Sequence, residues 1–198
     1  MPCAARRWRT PWKVCWRVLA KPVSQRLFFA LWPEPEMARA IWQATAGLVP
    51  KGVGRRLKPE HIHITLAFLG AIEADQQACV IQAAGGIQGE AFTLQLDEAG
   101  HFPRPQVVWL GSRQIPPALQ TLHTKLVTQL MRQCGFAPET RPFVPHLTLW
   151  RKIKRVNLPE TLGPVAWPVS RFVLARSRTL PEGADYSIVQ QWPLAAAN

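Results

Sequence analysis

The chain has 198 residues, a length that suits one domain or two small lobes, and 47% of them are hydrophobic, enough to bury a substantial core. No apolar run is long enough to span a bilayer, which argues against a transmembrane protein. The formal net charge of +12 favours a polyanionic partner, with nucleic acid first and an anionic membrane surface second.

Part of that charge is local. Residues 1–25 carry Arg6, Arg7, Arg9, Lys13, Arg17 and Lys21 and no acid, so half of the net +12 sits there. Thr10 and Pro11 could start a short helix that groups Trp12, Cys15, Trp16 and Leu19 on one side. Termini are poorly ordered unless tied down, so residues 1–25 are expected to be a loosely ordered basic, Trp-rich extension. Residues 26–198 are expected to form the single working domain.

Residues 26–32 are apolar and aromatic and predict a first strand. Met37, Ala40, Ile41, Ala44 and Leu48 recur at helical spacing, predicting a helix over 35–48. Residues 49–60 form a basic, glycine-containing loop with Lys51, Arg55, Arg56 and Lys58. Residues 61–69 predict a strand. A helix over 74–84 is ended by Gly85 and Gly86, and 92–96 alternates as a strand. Pro103 and Pro105 mark 99–106 as a loop, whose His101 and Phe102 could touch a substrate but more simply pack. Residues 107–110 predict another strand. Leu119, Leu122, Leu126, Leu130 and Cys134 keep helical spacing over 117–134, and Gly135 stops that helix. A strand over 141–150 leads into the basic cluster Arg151, Lys152, Lys154 and Arg155. Residues 157–168 look like loop, and 170–177 and 186–192 read as two closing strands. The four cysteines, Cys3, Cys15, Cys79 and Cys134, form no Cys-x-x-Cys pair, and a cytoplasmic protein with reduced thiols is expected.

Two short stretches stand out. His63-Ile64-Thr65-Leu66 and His146-Leu147-Thr148-Leu149 both read His-x-Thr-Leu inside β-prone runs. Side chains in a strand alternate faces, so each tetrad buries two aliphatics and presents an imidazole beside a hydroxyl. Imidazole titrates near neutral pH, so one copy can accept a proton while the other donates one. A threonine hydroxyl can donate to an anionic oxygen. A lone His-x-Thr is more often a structural pair; repetition is what points to an in-line displacement at phosphorus without a metal. His61 shares a face with His63, and a His-x-His pair can ligate zinc. No third ligand stands at a telling spacing, so no metal is expected, and His61 is read as structural.

The paired tetrads resemble the signature of the two-histidine phosphoesterases. The wording around them, Arg26-Leu-Phe-Phe-Ala-Leu31, His63-Ile-Thr-Leu-Ala-Phe-Leu-Gly70 and Pro145-His-Leu-Thr-Leu149, is similar to the bacterial RNA 2′,3′-cyclic phosphodiesterases, also called 2′-5′ RNA ligases. The resemblance runs from about Arg26 to near the C-terminus. It implies an α+β, bilobal fold, two related halves each with an antiparallel sheet and helices, facing across a cleft. It implies hydrolysis of RNA 2′,3′-cyclic phosphate ends, with His63 as proton donor and His146 as proton acceptor and no cofactor. Thr65 and Thr148 would hold the phosphate, and Arg151 would add charge. A monomer is expected. A small cyclic nucleotide or ADP-ribose cyclic phosphate as substrate, or a non-catalytic RNA-binding module, are the alternatives.

Overall fold

A computed structural model describes residues 25–137, 139–180 and 183–196. The expected N-terminal extension, with Cys3 and Cys15, lies outside the described residues.

β1 (Gln25–Leu31) is apolar without a break from Leu27 to Leu31, because both faces of that stretch are covered. Leu27, Phe29 and Leu31 enter the main core, while Phe28 and Ala30 join a smaller cluster with Val173 and Ala175 on the other side. α1 (Pro35–Ala44) starts with proline at its first position, where no backbone donor is lost, and buries Ala38 and Ile41. It ends four residues before the predicted limit, where the Thr45 hydroxyl donates back to the Ile41 carbonyl at 2.8 Å. β2 (Arg55–Arg56) is a two-residue strand in the basic loop. A 3-10 turn at Pro59–His61 precedes β3 (Ile64–Ile72), so the predicted strand starts three residues late. Pro59 sets the preceding turn and takes His61 out of the ladder.

α2 (Ala74–Gly85) opens on a capping box between Glu73 and Gln76. β4 (Phe92–Leu96), β5 (Glu98–Phe102) and β6 (Val107–Gly111) follow. The predicted loop over 99–106 is thus half strand. Glu-Ala-Gly-His-Phe has little strand propensity of its own, and pairing with the strongly β-prone β6 overrides that. α3 (Pro117–Cys134) buries Leu119, Leu122, Leu126 and Leu130, and Gly135 closes it in the left-handed conformation at φ 70°. β7 (His146–Arg151) starts later than predicted. β8 (Val165–Val169) lies where a loop was expected; Pro168 misled, yet it is tolerated because β8 belongs to a two-stranded sheet with β4. β9 (Arg171–Leu180) and β10 (Gly183–Pro193) complete the chain.

The main sheet has eight strands in the order β10-β9-β1-β3-β7-β6-β5, with β2 added beside β7. Its described pairs are all antiparallel. It divides into two halves, β10-β9-β1-β3 and β7-β6-β5 with β2, joined by the single pair Ile64↔Leu147. Both of those side chains are fully buried in the same core as the leucines of α3. That core sets the helical layer on one face of the seam and leaves the other face open.

One expectation is corrected here. Cys79 on α2 and Cys134 at the end of α3 form a disulfide, with Cα atoms 5.8 Å apart, rather than two reduced thiols. The pairing was invisible in a count of cysteines because it joins positions 55 apart through helix packing.

Candidate active site

At the seam, Ile64 and Leu147 point into the core, so their neighbours point out. Antiparallel pairing of Ile64 with Leu147 sets His63 toward Thr148 and Thr65 toward His146. The result is a near-symmetric rectangle, with the two imidazoles on one diagonal and the two hydroxyls on the other. All four residues line one cavity of about 270 Å³. Arg151, the last residue of β7, lines it as well, so the five residues expected from sequence are brought together.

Each imidazole is held in the same way. His63 Nδ1 donates to the His61 carbonyl at 2.8 Å, and His146 Nδ1 donates to the Val144 carbonyl at 2.7 Å. A carbonyl only accepts, so Nδ1 carries the proton in both neutral rings and Nε2 is left to exchange protons. The tautomer is thereby set twice by a carbonyl two residues upstream.

The surroundings of the two rings differ. His63 stands in an aromatic box. Trp32 stacks on it at 4.7 Å and 11°, Phe28 lies 4.9 Å away, and Tyr186 meets it edge-on at 5.1 Å. His146 meets Phe102 edge-on at 5.1 Å and Trp109 at 6.3 Å. Burial pushes the His63 pKa from 6.5 down to about 4, against the lift from its bond to the His61 carbonyl; the charges of Arg151, His61 and His146 lower it further. Burial and the neighbouring positive charge thus both resist a proton on His63.

Three residues were missed or undervalued in the sequence. His61 lines the cavity and packs edge-on against Tyr186 at 5.3 Å. Phe102 lines it from the end of β5. Tyr186 arrives from β10, more than a hundred residues after β1 and β3, and nothing local marks it. His101 does not reach the cavity; its Nε2 donates to the Ile153 carbonyl at 2.8 Å. Arg56 is also structural, its guanidinium lying between Trp42 and Trp150 at 3.8 and 4.6 Å from the ring centres.

Another hollow, of about 330 Å³, lies between β4 and the start of α3. It offers no acid–base pair, and its Asp97 already accepts the Arg113 backbone N–H at 2.9 Å. Among the described residues, no three His, Cys, Asp or Glu side chains come together as a metal site.

Residues 33–179 match the model of the 2′-5′ RNA ligase superfamily. The chain belongs to that family. It is 37% identical over 173 residues to the RNA 2′,3′-cyclic phosphodiesterase of Escherichia coli, a match covering 86% of this chain and 97% of that protein. The protein of the same name from Thermus thermophilus is 27% identical over 181 residues, covering 85% of this chain and 90% of its own. The crystal structure of Escherichia coli LigT complexed with 3′-AMP superposes with a TM-score of 0.77 at 36% identity, covering 86% of this chain and 98% of that one. The α+β architecture of this family, two halves around a cleft, is the one the tetrads led us to expect. No described helix is long and apolar enough to cross a membrane.

Proposed function

We propose that this chain hydrolyses RNA ends bearing a 2′,3′-cyclic phosphate to 2′-phosphomonoesters, by two-histidine acid–base catalysis and without a metal. The observation that carries this reading is the seam rectangle: two Nδ1-anchored imidazoles and two threonine hydroxyls in one cavity, with Arg151 at its side. His146 Nε2 takes a proton from water, whose oxygen attacks phosphorus. The bond from phosphorus to the ribose 3′-oxygen breaks, and His63 Nε2 delivers its proton to that oxygen. The Thr65 and Thr148 hydroxyls donate to the non-bridging oxygens, where charge grows in the transition state. Arg151 offsets that charge.

The low pKa of His63 fits this role once the substrate is counted. Burial lowers it first, and the charges of Arg151, His61 and His146 add to that. A phosphodiester anion bound among those groups offsets their charge and favours the imidazolium, so the substrate helps to charge its own acid. With a ribose 5′-hydroxyl as the nucleophile in place of water, the same displacement breaks the bond to the 3′-oxygen and joins two RNA ends through a 2′-5′ linkage. Both tetrads come from one chain, so a monomer suffices.

The test is cleavage of a short RNA ending in a 2′,3′-cyclic phosphate, with EDTA present, by the wild type, His63→Ala and His146→Ala. Wild type should yield a 2′-phosphate, and each variant should lose about 10²–10⁴ in rate. Near-full activity in both variants would sink the mechanism. Activity lost to EDTA and restored by zinc would sink metal independence.

A further inference from the structure

We infer that four exposed cations on one rim of the cavity, Arg104, Lys152, Lys154 and Arg155, form a track for the RNA strand upstream of the terminal nucleotide. The inference rests on the reaction proposed above and assigns the residues that hold the strand beyond its terminal nucleotide.

A 2′,3′-cyclic phosphate exists only at the 3′ terminus of a strand, so everything else in the substrate hangs from the 5′ side of one nucleotide. The cavity, about 270 Å³, lies below the range of roughly 300–1,000 Å³ usual for ligand pockets. The strand must therefore leave over a rim, and the two rims differ in charge. On the side of His63, acids and cations are interleaved: Glu34 is ion-paired with Arg171, Glu60 lies 4.0 Å from Lys58, and Asp185 on β10 stands opposite Arg178 on β9. On the side of His146, neither the β5–β6 turn, 103–106, nor the segment 151–155 contains an acid.

Those two segments are fastened together. Ile153 is fully buried, its N–H donates to the Gln106 carbonyl at 3.0 Å, and its carbonyl accepts from His101 Nε2 at 2.8 Å. Both turn sharply through the left-handed region, at Gln106 with φ 55° and Lys152 with φ 63°. With Ile153 plugged inward, Lys152 and Lys154 on either side of it stand exposed, as do Arg104 and Arg155. Among the described residues none of the four is in a salt bridge. The run begins at Arg151, which lines the cavity, and Lys152, Lys154 and Arg155 follow it within four residues. A row of unpaired cations leading from a phosphate site fits successive backbone phosphates, whose contact releases counterions and carries no base preference.

The test compares a mononucleoside 2′,3′-cyclic phosphate with an oligoribonucleotide ending in the same group. Lys154→Glu/Arg155→Glu should lower kcat/KM for the oligonucleotide by about tenfold or more, mostly through KM, and leave the mononucleotide within about twofold. The slope of log KM for the oligonucleotide against log salt should flatten by roughly one to two. Arg104→Glu, on the other segment, should act in the same direction. An unchanged oligonucleotide kcat/KM and salt slope, or equal losses on both substrates, would overturn the track. Binding of an oligonucleotide with a 2′-phosphate end is measured in parallel. If the wild type turned over neither substrate, the proposed reaction would fail; salt-sensitive binding lost in the variants would then still support the track, and binding unaffected by them would remove it.

Discussion

At the scale of single residues, the site depends on the proton positions of two rings. The bonds from Nδ1 to the His61 and Val144 carbonyls hold Nε2 of each ring toward the cavity. Burial in the box of Trp32, Phe28 and Tyr186 then disfavours charge on His63, whose pKa falls to about 4. The sign of the pH effect follows. A bound phosphodiester is an anion and opposes the lowering of the His63 pKa seen in the free protein. The profile of kcat/KM reports the free enzyme and that of kcat the complex. Both should be bell-shaped, and the limb set by His63 should lie at higher pH in kcat. Steady-state rates from pH 4 to 9 on one oligonucleotide would decide it, and superimposed bells would show that substrate does not recharge His63.

At the scale of elements, what could be read from the chain and what could not follow one rule. Signals carried within a single element were readable. The period of two in each tetrad, the leucine row of α3 and the proline at the start of α1 each predicted their own element. What depends on a partner element was not. β5 is a strand because β6 is beside it, β8 because β4 is, and His61 left its strand because Pro59 made a turn. The box around His63 draws on β1 and β10, so no window of sequence contains it. β2 is the smallest such case. Gly54, at φ 65°, brings β2 against β7, and a Cβ there would press on Ile153 and stand 2.7 Å from the Arg151 carbonyl. Gly54→Ala combines a left-handed backbone with that clash and should cost about 1–3 kcal/mol. Urea unfolding would measure it, and KM should rise as Leu57, which lines the cavity, shifts with β2. Wild-type stability in the variant would show that β2 is free to move.

At the scale of the molecule, chemistry and cohesion lie on opposite faces of one sheet. The imidazoles face the cavity, while α2 and α3, with the Cys79–Cys134 bond, lie in the layer that buries Ile64 and Leu147. A cross-link closing a loop over a separation of 55 should add about 2–4 kcal/mol. Reduction with dithiothreitol, or Cys79→Ser, should lower the urea midpoint by a corresponding amount and leave kcat unchanged. A fall in kcat without a fall in stability would mean that the helical layer reaches the site.

The order of strands has a consequence for how the protein is made. The half that holds His63 is built from both ends of the described chain, β1 and β3 early and β9 and β10 last. While the chain is being synthesised, both tetrads leave the ribosome well before β9 arrives to cover the open edge of β1. Tyr186, which closes the box on His63, comes later still. A nascent or prematurely terminated chain thus carries both His-x-Thr-Leu tetrads in its sequence and a bare strand edge in its structure. Loss of the last thirty residues would leave every recognisable motif in place and dismantle the site, so the intactness of this enzyme in a genome must be judged at its C-terminus.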